Sequence, residues 1–104
     1  MSDESQIDVP PSFLALYADL RQRLREPIVV VRARYELCED LATHLIEQAQ
    51  TLYHVAVPSE AEILQRIRSG LLTVESGVSP AEATWTVRRL AELLNWRCPD
   101  FDDA

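Results

Sequence analysis

PIVVVRARYELCEDLATHLIEQAQTL, residues Pro27 to Leu52, decides the fold. Its opening, Ile28 to Val31, is a β-branched run that alone predicts a strand. The rest points the other way. Val31, Tyr35, Cys38, Ala42, Leu45, Ala49 and Leu52 recur at alternating steps of four and three, the spacing that keeps apolar residues on one helical face. Leu41 and Ile46 widen that stripe, while Glu36, Asp40, Thr43, Glu47 and His54 occupy the opposite side. The segment predicts a two-faced helix of about 25 residues, with Pro27 in the first turn, where its missing N–H costs nothing.

Upstream, Phe13, Leu16 or Tyr17, Leu20 and Leu24 recur at helical spacing and predict a helix from Pro10 and Pro11 to about Glu26. Arg21, Arg23 and Arg25 crowd its C-terminal end, where cations complement the helix dipole. Downstream, Ser59 with Glu62 forms a capping-box pattern before Ile63, Leu64, Ile67 and Leu71. Ser79 with Glu82, and Pro80 between them, opens a fourth helix that ends near Asn95, ahead of Pro99. Residues 1–9 read as a flexible acidic N-terminal tail, 10–98 as a single all-helical domain and 99–104 as an acidic C-terminal tail. Four helices with short links predict an all-α fold, either a four-helix antiparallel bundle or paired helical hairpins.

Composition agrees with a globular helical chain. Apolar residues make up 47% of the 104, charged residues 26%, and there are only two glycines, too few for a turn-rich β architecture. The formal charge is −7, from 17 acidic and 10 basic residues, and six of the acids lie in the two ends. Acidic ends repel nucleic acid and anionic membrane surfaces. Every basic residue is an arginine. The missing lysine excludes Schiff-base chemistry, a lysine general base and the lysine of a phosphate-binding loop. Gly70 and Gly77 stand alone, so no glycine loop is present to cradle phosphates. Cys38 and Cys98 are far apart, and MSDESQID lacks the apolar core of a signal peptide. These features predict free thiols in a reducing cytoplasm. No apolar run approaches the ~18 residues of a membrane span.

The functional signal is in SPAEATWTVRRLAELLNW, Ser79 to Trp96. Ala83, Val87, Leu90 and Leu94 fall in a narrow arc, and Trp85 lies about 160° from its centre. Extending the helix brings Trp96 to within about 20° of Trp85, with Arg89 and Glu92 between them. Tryptophan and arginine are the residues most enriched at interface hot spots. Trp85, Arg89, Glu92 and Trp96 are thus expected to form an interaction face, most simply with a second copy across a two-fold axis. Packing of the fourth helix on both sides within the chain would place the tryptophans inside instead.

Other chemistries find less support. His44 and His54 share the polar face of the long helix with Asp40 and Glu47, but Cys38 belongs to the apolar stripe and no Glu-x-x-His pair occurs, so no metal site or cofactor is expected. A helix-turn-helix joined by Ser76–Ser79 would offer Arg66, Arg68, Arg88 and Arg89 to phosphates. Glu82 and Trp85 at the base-reading end and the net charge weigh against it.

ARYELCEDLA, the fourth-helix segment quoted above and the VPPSFLALY opening resemble small uncharacterised proteobacterial helical proteins of about this length, some described as "ATPase with chaperone activity". The resemblance implies no catalytic residues. The sequence accordingly predicts a cytoplasmic, homodimeric protein–protein interaction module that uses the fourth helix, with ATP-independent chaperone-like client binding as the alternative function.

Overall fold

The computed structural model describes residues 8–56 and 59–101. The fold is all-α, with four α-helices among the described residues: α1 Pro11–Leu14, α2 Ile28–Ala56, α3 Glu60–Leu71 and α4 Pro80–Leu94. Within the expected single domain the chain divides into two compact units, residues 1–37 and 38–104, with the division inside α2.

In the first unit the expected helix from Pro10 to Glu26 is cut to one turn. Pro10 accepts from the backbone N–H groups of Phe13 and Leu14, both at 3.0 Å, and a 3-10 turn over Ala15–Tyr17 ends the helical path. A small antiparallel hairpin follows. Asp19 N–H donates to the Arg23 carbonyl at 2.8 Å, Arg25 N–H donates to the Tyr17 carbonyl at 2.7 Å, and Ala18 pairs with Leu24. Asp19 is the cause. Its Oδ1 accepts from the backbone of Arg21 at 2.8 Å and of Arg23 at 2.9 Å, an Asp side chain offering the backbone an alternative to the helix. Gln22 takes the left-handed conformation at φ 65° to close the turn. Leu20 therefore leaves the expected apolar stripe and is fully exposed. Phe13 remains wholly buried, its ring 5.8 Å from Tyr17 and 5.7 Å from Tyr35.

The β-branched run opens α2 as a helix. Pro27 accepts from Val30 and Val31 at 2.9 and 3.1 Å, and its ring presets the backbone for a first turn. Along the stripe Val31, Cys38, Ala42 and Ala49 are completely buried, which matches the four–three spacing.

In the second unit α3 and α4 start as their caps predict, with one difference. Ser79 Oγ accepts from Glu82 N–H at 3.1 Å while Glu82 Oε1 accepts from Ser79 N–H at 2.9 Å, a closed capping box. At α3 the Ser59 hydroxyl accepts from Glu62 N–H at 3.1 Å, but the Glu62 carboxylate turns to Arg66 at 2.6 Å. An arginine one turn ahead competes successfully for that carboxylate. Between the helices, a 3-10 turn over Val74–Ser76 ends at Gly77, φ 81°, a left-handed position that a glycine occupies without strain.

The core of this unit joins Ala42 and Ala49 of α2, Ile63, Leu64 and Ile67 of α3, and Val87, Leu90 and Ala91 of α4. Small residues on α2 facing branched ones on α3 and α4 allow close helix approach. Trp96, Cys98 and Phe101 pack against this core, so the segment expected to begin a C-terminal tail at Pro99 is docked as far as Phe101. Arg68 holds it from α3, its guanidinium 4.8 Å above the Phe101 ring while Nε donates to Thr84 Oγ1 at 2.9 Å. The two caps differ in completeness. Ser79→Ala is expected to cost about 1–2 kcal/mol and Ser59→Ala about half as much, measured by urea unfolding; equal losses would contradict the closed box.

Candidate interaction surface

The four residues expected to form one face do not do so. Trp85 is buried, with 9% of its surface exposed. It lies in an unbroken run, Glu82 to Val87, in which all six residues are buried. Six successive residues sweep more than a full helical turn, so over this run α4 is interior on every side and the angular separation of Trp85 from the apolar arc does not make it a surface residue. This corrects the placement of Trp85 in an interaction face.

Arg89 is engaged within the second unit. Nε donates to Glu39 Oε1 at 2.9 Å and to Oε2 at 3.1 Å, and Nη2 donates to Oε2 at 3.0 Å. Nη1 donates to Glu92 Oε1 at 3.0 Å. The fork of the guanidinium thus spans two carboxylates, one on α2 and one on its own helix. The hydrogen bonds to Glu39 hold Arg89 above its ordinary pKa against the opposing effect of partial burial, and Glu92 adds to the rise. Glu92 itself is exposed.

Trp96 lies past the helix end. Asn95 is left-handed at φ 60°, Asn95 N–H donates to Glu92 O at 3.1 Å, and Trp96 N–H donates to Ala91 O at 2.9 Å. This is a Schellman turn with asparagine in place of the usual glycine. It ends the 100° progression at Asn95, so Trp96 does not return to the side of Trp85. The turn carries the indole onto the core cluster of Ala91 and places its ring 5.4 Å from Tyr53 on α2. The contacts Glu39 to Arg89 and Tyr53 to Trp96 run in the same order along both elements, so α2 and α4 share a chain direction here.

What remains accessible is an aromatic and apolar face. Tyr53 is 45% exposed beside the half-buried Trp96; Val55 is exposed as well, but two residues on and so about 200° around α2 from Tyr53. Tyr53 also meets the His54 ring at 5.8 Å. The sequence reading omitted Tyr53 and Glu39. Glu39 follows Cys38, about 100° around the helix and on the Ile46 side of the stripe. A carboxylate flanking an apolar seam opposite an arginine is the pairing used at the flanks of coiled coils, and that pattern was present in the sequence. Nothing in the spacing indicated Tyr53.

No metal-binding grouping of three or more His, Cys, Asp or Glu side chains occurs among the described residues. His44 Nδ1 lies 2.8 Å from its own helix, at the Asp40 carbonyl. Cys38 and Cys98 are unbridged. No described helix is long and apolar enough to cross a membrane. No protein-family model, curated protein or solved structure matches the chain, so the functional reading rests on its own residues.

Cys98 reports on the docking of this region. Burial pushes its thiol pKa up; Arg88 opposes the shift, and Asp100 and Glu92 add to it. A raised value favours the folded state fully below the ordinary cysteine range, and that contribution is lost as pH rises through the raised value. Cys98 should therefore alkylate more slowly with iodoacetamide at about pH 8.5 than an exposed cysteine, and reach the ordinary rate in urea. An ordinary rate in the native protein would contradict the docked segment.

Proposed function

We propose that this chain is a protein–protein interaction module acting in the cytoplasm, and that it pairs with a second copy of itself through the Tyr53 and Trp96 face. The observation that carries the reading is the Tyr53 ring, 45% exposed, its centroid 5.4 Å from that of Trp96 and its plane tilted 45° to it. Aromatic rings of this kind supply contact area at low entropic cost. Arg89, held by Glu39 and Glu92, forms a polar border that fixes orientation more than it adds affinity. Of the residues expected from sequence, Trp96, Arg89 and Glu92 stay in this proposal and Trp85 does not. Unbridged thiols are in keeping with a reducing compartment.

Light scattering across a concentration range tests the proposal. The expected result is twice the mass of one chain, reduced to one by Tyr53→Arg with far-UV circular dichroism unchanged. A monomer at every concentration would contradict pairing, and suppression of client aggregation by that monomer without ATP would transfer the face to the chaperone-like function.

A further inference from the structure

The first unit carries a separate surface that the reading above does not use. Every residue from Leu20 to Val30 is exposed, and five of them are large and apolar: Leu20 at 102%, Leu24 at 37%, Ile28 at 46%, Val29 at 63% and Val30 at 39%. Exposing that much apolar surface in one short stretch is unusual for a protein with no use for it. The stretch is also built. Asp19 accepts from two backbone N–H groups of the hairpin and Gln22 closes it in a left-handed conformation, so Leu20 is held at the tip.

Charge is concentrated in the same place. Between Ala18 and Arg34 there are five arginines against Asp19 and Glu26, while the remainder of the chain has five arginines against 15 acids. Arg21, Arg23 and Arg25 alternate along the hairpin, all exposed. Arg32 follows one turn above Ile28 and Val29 on α2, and its Nε is buried without a hydrogen-bond partner.

We propose that the Leu20–Arg32 surface docks an acidic segment of a partner protein, whose carboxylates meet Arg21, Arg23 and Arg32 and whose apolar side chains cover Leu20, Ile28 and Val29. The partner is a protein segment because the surface presents exposed arginines and large apolar side chains in alternation, which a chain of alternating acidic and apolar side chains matches. The site is independent of the Tyr53 face, so either can fail without the other.

The test is fluorescence anisotropy with a labelled peptide of alternating glutamate pairs and leucines, and with its lysine counterpart. The acidic peptide should bind saturably, the lysine peptide should not, and affinity should fall as salt is raised. Arg21→Glu with Arg23→Glu, and separately Leu20→Ser with Val29→Ser, should each weaken binding by about tenfold or more. Arg97→Glu in the second unit should leave it unchanged. Absence of saturable binding, indifference to both patch variants, or equal loss in Arg97→Glu would overturn the proposal. So would loss of dimer mass in Leu20→Ser with Val29→Ser, which would assign the surface to a second copy. Sedimentation with phosphatidylserine vesicles in place of peptide binding would assign it to lipid and overturn it as well.

Discussion

The rest of the second unit depends on the complete burial of the Glu82–Val87 run of α4. A helix buried on one face needs an apolar stripe; one buried on every face must also satisfy each polar group within it. Glu82 does this through the closed box with Ser79, and Thr84 accepts from Arg68. Thr86 is the exception, its hydroxyl buried without a partner, a desolvation cost of about 1–3 kcal/mol. Trp85 contributes the largest side chain of the run, and an indole of that size contributes more to cohesion than one buried hydroxyl costs.

Burial at the start of α4 leaves its far end to carry the surface. The helix emerges at Arg88 and stops at Asn95, and the Schellman turn redirects the chain so that Trp96, Cys98 and Phe101 return to the core. Arg89 and Glu39 tie the emerging part to α2, and Arg68 ties the returning segment to α3. These attachments place Tyr53 and Trp96 together, so the proposed face is a consequence of how the helix ends.

Long periodicity and capping residues made most of the fold legible. The stripe from Val31 to Leu52 overrode the strand preference of Ile28–Val31, because seven apolar positions in register outweigh one β-branched turn. Ser79, Glu82 and Pro80 marked the start of α4 because the cap is a local device. The first helix failed for an equally local reason: the spacing of Leu16, Leu20 and Leu24 was helical, but Asp19 captured two backbone donors and ended the helix early. The candidate site was less legible. Placing Trp85 and Trp96 together assumed that an apolar arc defines the only buried side and that the helix continues past Asn95. Burial on every side of α4 defeats the first assumption, and the left-handed Asn95 defeats the second.

The central claim is that Trp85 is interior, which a single-tryptophan variant measures directly. In Trp96→Phe, the remaining emission from Trp85 should be blue-shifted and weakly quenched by acrylamide until urea unfolds the protein. Red-shifted emission with quenching as efficient as that of free indole, in a protein with native circular dichroism, would contradict the account.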